Sequence, residues 1–93
     1  MAVRFLIPGP LRPFSGGVSS VALAASPATV GDALAALRTL HPGLTERVLT
    51  ELGDVRPHVN LFVAETNIRD AAGLETRVPD GVEIAILPAV SGG

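Results

Sequence analysis

This 93-residue chain ends in Val90-Ser91-Gly92-Gly93, and the group that this arrangement offers for chemistry is the C-terminal carboxylate. Two residues without Cβ make the last peptide slim and free in φ and ψ. Such a peptide can thread a narrow channel and present its carboxylate to another protein's active site. With glycine at ~7% background frequency, chance gives this ending in roughly 1 chain in 200; a tolerant, frayed terminus is the ordinary alternative. The other reactive groups form no constellation. His41 and His58 are the only histidines, without the HxxxH spacing or carboxylate cluster of a metal site. His41 falls where a helix should end, a position that suits a cation. Ser15-Gly16-Gly17 could cradle a phosphate, but no P-loop lysine or GxGxxG follows, so it reads as a turn. The carboxylates, from Asp32 through Glu46, Glu51, Asp54, Glu65, Asp70, Glu75 and Asp80 to Glu83, scatter over turns and polar helix faces with no pair placed for acid/base work. We expect no catalytic residue, no metal and no bound cofactor.

These residues must be positioned by one small domain, since a chain of this length buries only about 60–65% of its unfolded surface. There is no cysteine, so neither disulfides nor thiolate-bound metal can staple it. Its net charge of -2 comes without clusters of either sign along the sequence, which excludes the basic footprint of a nucleic-acid binder. No apolar run approaches the roughly 20 residues of a membrane span. Pro8, Gly9, Pro10 and Pro13 interrupt any signal-peptide core before Val21–Ala25. A soluble, cytoplasmic protein is expected. Lysine is absent, so the side chains cannot accept isopeptide bonds.

Residues 2–7 read as a strand closed by Pro8-Gly9-Pro10, followed by a loop to Gly17 and a second strand over 18–24 that completes a hairpin. Thr29 is a predicted N-cap, with Asp32 three residues on. Val30, Ala33, Leu34, Leu37 and Leu40 recur at helical spacing, and Pro42-Gly43 should end that helix. Leu44, Val48 and Leu52 then predict a second, shorter helix that fills a gap at the sheet edge. Alternation of Val59, Leu61 and Val63 predicts a strand over 58–64, a turn is expected at 67–70 and a short strand at 75–78. Asp80-Gly81 turns the chain into a last strand carrying Val82, Ile84 and Ile86. The order β-β-α-(short helix)-β-(β)-β implies an α+β mixed sheet of four to five strands covered by one main helix, the β-grasp or ubiquitin-like order. Residues 1–88 would form the domain and 89–93 a flexible tail.

The run Asp80-Gly-Val-Glu-Ile-Ala-Ile-Leu-Pro-Ala-Val-Ser-Gly-Gly93 resembles the ending of the ThiS/MoaD family of ubiquitin-like sulfur carriers. Leu11-Arg12-Pro13-Phe14-Ser15-Gly16-Gly17 resembles the early loop of its CysO-like subgroup, which supplies sulfur for cysteine or thio-sugar biosynthesis. The resemblance spans essentially the whole chain. It implies parallel first and last strands lying side by side, and a Gly93 carboxylate adenylated by an E1-like enzyme of the MoeB/ThiF type using ATP and Mg. A rhodanese-like donor or sulfide would convert Gly93 to a thiocarboxylate, and a biosynthetic enzyme would accept the sulfur. Two alternatives share the tail: a small subunit of molybdopterin synthase, and a modifier conjugated through Gly93.

Fixing Ala89, Val90, Ser91, Gly92 and Gly93 in a partner's channel costs about 1–2 kcal/mol per residue, so a docking surface elsewhere should contribute. If Val3, Phe5, Val59, Leu61, Ile84 and Ile86 face the helix, strand parity turns Leu6, Phe62 and Leu87 outward, as an exposed apolar patch suited to a partner.

Overall fold

Alternating branched and aromatic residues demand strands with one buried face. A computed structural model of the chain, describing residues 2–24 and 26–88, contains them. β1 (Arg4–Leu6) buries Phe5, β3 (Val59–Val63) buries Val59, Leu61 and Val63, and β5 (Glu83–Pro88) buries Ile84 and Ile86. With β2 (Ser20–Ala22) and β4 (Thr66–Asn67) they form one sheet in the order β2-β1-β5-β3-β4. β1 and β5 run parallel and the other pairings are antiparallel. The last strand in sequence is therefore the central one, bonded on both sides, in the expected β-grasp arrangement.

α1 (Val30–Leu40) begins at Thr29, whose Oγ1 accepts a hydrogen bond from the Asp32 N–H at 3.2 Å, satisfying one of the donors that a helix start leaves free. Val30, Ala33, Leu34 and Leu37 are buried in one cluster with the inward residues of the strands. Leu40, expected on the same stripe, is 51% exposed, because the helix closes at that residue and the stripe ends a turn earlier. His41 caps the end of α1 and the start of α2 (Pro42–Val48). Pro42 thus opens the second helix rather than merely stopping the first; at the first helical position its missing N–H leaves nothing unbonded. Leu44 and Val48 are buried, whereas Leu52 is 89% exposed. α2 ends at Val48, and the chain turns back through Gly53, at φ +88, to a bridge between Leu49 and Val55. The main contacts of α2 are with α1 and with the turns at residues 9–14, not with a sheet edge.

Three further local differences concern short segments. The expected loop after β1 winds into 3-10 turns over Gly9–Phe14, since prolines at fixed φ suit tight turns. Residues 75–78 form no strand; they contribute an isolated bridge, Thr29 to Arg77, beside a 3-10 turn at Gly73–Glu75. The extra strand is β4. It reaches β3 by a two-residue turn at Ala64 and Glu65, with Val63 paired to Thr66 and Ala64 at φ 55. The expected turn after it is a 3-10 turn, Ile68–Asp70, with the Asn67 side chain accepting from the Arg69 N–H at 3.0 Å.

Candidate functional site

Register decides which outward side chains meet. Leu6 is the partner of Ala85, and Ala85 is the partner of Phe62. The three form a row across β1, β5 and β3, with neighbours about 4.8 Å apart. They lie on the face opposite Phe5, Ile84 and Leu61, because successive residues of a strand alternate faces. Leu6, Ala85 and Phe62 are half-buried. Leu87 follows on the same face, opposite Asn60, and is 47% exposed. The sheet therefore brings Leu6, Phe62 and Leu87 onto one solvent-facing surface.

This surface adjoins the end of β5. Val59 pairs with Pro88, the last residue of the strand. β1 has already ended at Leu6, opposite Ala85, so the missing N–H of Pro88 removes no ladder bond on that side. Ala89, Val90, Ser91, Gly92 and Gly93 lie outside the described residues.

The remaining candidates take structural places. Ser15 is buried, its hydroxyl donating to the Val18 carbonyl oxygen at 2.8 Å and lying 3.1 Å from that of Arg12. Gly16 and Gly17 follow at φ 71 and 86, values that glycine adopts without strain. The Ser15-Gly16-Gly17 segment is thus a turn that leads to β2. His41 joins the two helices and His58 stands exposed just before β3. Among the described residues no three His, Cys, Asp or Glu side chains are grouped to hold a metal, and no helix is long and apolar enough to cross a membrane.

Arginines that are dispersed along the chain converge where β3 begins and β5 ends. Arg56 donates through Nε and Nη2 to the Glu46 carbonyl oxygen at 3.0 and 2.9 Å. Arg69 donates through Nη2 to the carbonyl oxygens of Val59 and Arg56 at 2.6 and 2.9 Å, and through Nε to Asn60 Oδ1 at 3.3 Å. It occupies the flank of β3 that the two-residue β4 is too short to cover. Arg47 lies over the Phe14 ring, 4.3 Å from its centroid. Only a hydrophobic ring at position 14 and a cation on α2 hinted at any of this in the sequence.

The comparisons with known proteins agree with this geometry. The model of the ThiS family matches residues 5–93. The chain is 38% identical to the sulfur carrier protein CysO of Mycobacterium tuberculosis over 95 aligned positions that span 100% of both proteins. Among solved structures, the Amycolatopsis orientalis BexX/CysO complex contains a chain that superposes with a TM-score of 0.87 at 37% identity, covering 99% of this chain and 100% of that one. SAMP1 of Haloferax volcanii superposes with a TM-score of 0.82 at 32% identity, covering 100% of both.

Proposed function

Because this chain belongs to the ThiS family, we propose that it is a sulfur carrier of the CysO type, a protein substrate rather than an enzyme, with its sulfur held at Gly93. The observation that carries this reading is the full-length likeness to a sulfur carrier, with the family match running to residue 93. Residues 1–88 are the body and 89–93 the part that enters a partner.

An ionised carboxylate is a poor electrophile, and the α-carboxyl group is ionised at neutral pH. One of its oxygens attacks the α-phosphorus of Mg-bound ATP in an E1-like enzyme of the MoeB/ThiF type, the α–β anhydride bond breaks, and pyrophosphate leaves. Free hydrosulfide then adds to the acyl carbon and expels AMP; with a rhodanese-like donor the terminal sulfur of its persulfide adds instead, and a second thiol cleaves the resulting acyl disulfide, releasing the thiocarboxylate and leaving a disulfide on the thiols. The sulfur of the resulting thiocarboxylate bonds to the substrate of an acceptor enzyme of cysteine or thio-sugar type biosynthesis, and water then cleaves the acyl–sulfur bond, leaving the sulfur on the product and returning the carboxylate. ATP and Mg belong to the activating enzyme, which makes the cytoplasm the expected compartment. Gly92 gives clearance, Ala89, Val90 and Ser91 form the inserted neck, and Leu6, Phe62 and Leu87 dock against the partner. A relative captured in a complex with a second protein supports this dependence on partners.

Incubation with the activating enzyme, Mg-ATP and sulfide should add about 16 Da, the exchange of oxygen for sulfur at an activated carboxyl. Deleting Gly93 should abolish the gain. A truncated chain that still accepts sulfur refutes the site. Conjugation to proteins is a second reading, favoured by the likeness to small archaeal modifier protein 1 of Haloferax volcanii, 42% identical over 66 residues that span 71% of each chain. High-mass conjugates on a blot would identify it.

A further inference from the structure

At the end of the domain where β5 stops, an open hollow of about 300 Å³ is lined by Glu46, Arg47, Arg56 and His58. Val59, the residue after His58, lies one strand spacing, about 4.8 Å, from Pro88, its partner in the ladder. The Arg56 N–H joins this segment to α2 by donating to the Val48 carbonyl oxygen at 2.9 Å. The hollow and Pro88, the last described residue, therefore belong to one end of the molecule.

The cations around it are fixed by neutral groups. Arg56 is held by the Glu46 carbonyl, Arg69 by the carbonyls of Val59 and Arg56, and Arg47 by the face of Phe14. Among the described residues, the carboxylate lining the hollow beside Arg47 and Arg56 is that of Glu46, whose backbone oxygen is the group that accepts from Arg56. Arg47, Arg56 and Arg69 outnumber that carboxylate, so an excess of positive charge remains at this end, and the repulsion among the cations is relieved when an external anion covers them. The chain as a whole is acidic, with a net charge of -2, so the attraction is confined to this end and orients the molecule as well as drawing it.

Resting on the carrier reading, we infer that the end bearing Arg47, Arg56 and His58 docks on an acidic protein surface that rims the channel of the activating enzyme. A free phosphate fits less well. Arg56 has already spent Nε and one terminal nitrogen on a single carbonyl, so it lacks the free fork that clamps a phosphate bidentately. Cations spread around an open hollow match carboxylates spread around a rim.

The test uses the full chain with the E1-like activating enzyme, reading thiocarboxylate formation by mass. Arg47→Glu and His58→Glu change exposed side chains, and thermal melting checks that each variant is folded. Each should raise the KM for the carrier about tenfold or more, with kcat and the KM for ATP unchanged. Wild-type KM should rise between about 0.05 and 0.3 M salt, and less so for the variants. Arg4→Glu, at the opposite end of β1, should have no effect. Folded variants with wild-type KM and salt response overturn the inference, as does a change confined to the KM for ATP, which would assign the cations to nucleotide phosphate. If the wild-type chain itself gains no sulfur, it is the carrier reading that fails.

Discussion

Neighbouring residues of the central strand should respond oppositely to the same substitution. Ile86 is 1% exposed and faces the helices, whereas Leu87 is 47% exposed on the other face. Burying a whole leucine or isoleucine side chain is worth about 1.5–3 kcal/mol. Leu87→Asp gives up only the buried half of that, and with the poor strand propensity of aspartate it should cost the domain about 1–2 kcal/mol. Ile86→Asp loses the full amount and places a carboxylate in the buried apolar cluster, beside its ladder partner Leu61, which adds several kcal/mol. The sum rivals the 5–15 kcal/mol that holds a typical domain together, so this variant should not fold. At a partner interface the ranking reverses. Covering the exposed half of Leu87 contributes about 1 kcal/mol, and an aspartate trapped in an apolar contact costs a further 1–3 kcal/mol or so. Leu87→Asp should therefore weaken association with the activating enzyme by about 2–4 kcal/mol, roughly 30- to 1000-fold. Urea titration followed by circular dichroism reads stability, and titration of the carrier against the enzyme reads association. An unfolded Leu87→Asp protein would put that residue in the core; a folded one with wild-type affinity would remove the sheet face from the docking surface.

Thr29→Ala removes the oxygen that accepts from Asp32 at the start of α1 and should lower unfolding free energy by about 1 kcal/mol in urea. Arg69→Gln strips the donors from the carbonyls of Val59 and Arg56. A loss of about 1–3 kcal/mol is expected, and amide exchange should accelerate first in the segment leading into β3. An unchanged exchange pattern would mean that water replaces the guanidinium without loss.

The strands were legible where burial imposes a period of two. Val59, Leu61 and Val63, and again Ile84 and Ile86, can satisfy a core in one register only, and that register also turned Leu6, Phe62 and Leu87 outward. The cap at Thr29 was legible because its mechanism is local. Periodicity misled where an element stops early: Leu40 and Leu52 continue an apolar spacing past the last residue that has a sheet or helix beneath it. β4 was hidden because its turn, Ala64-Glu65, lacks the glycine or asparagine that usually supplies a positive φ, and the Ala64 value of 55 is imposed by pairing on either side. The cationic end was hidden for another reason. Arg47, Arg56 and Arg69 come from α2, the segment before β3 and the turn after β4, and only the fold makes neighbours of them.

The topology also constrains how a partner can approach. An exposed sheet edge is a common place for a second protein to add a strand, but here both edges are short, three residues in β2 and two in β4. Arg69 occupies the flank of β3 beyond β4, and its guanidinium already bonds the carbonyls that an added strand would need. Short and occupied edges oppose strand addition. β5 itself is sealed between β1 and β3, so the strand that leads to Gly93 cannot be peeled into a partner's sheet without breaking both ladders. Under the proposed carrier function, recognition would fall to the open face of the sheet and to the end where β5 stops. Those two surfaces meet at Leu87 and Pro88, so a partner that grips both holds the root of residues 89–93 in a fixed direction, which is what delivery of a terminal carboxylate to a narrow channel requires.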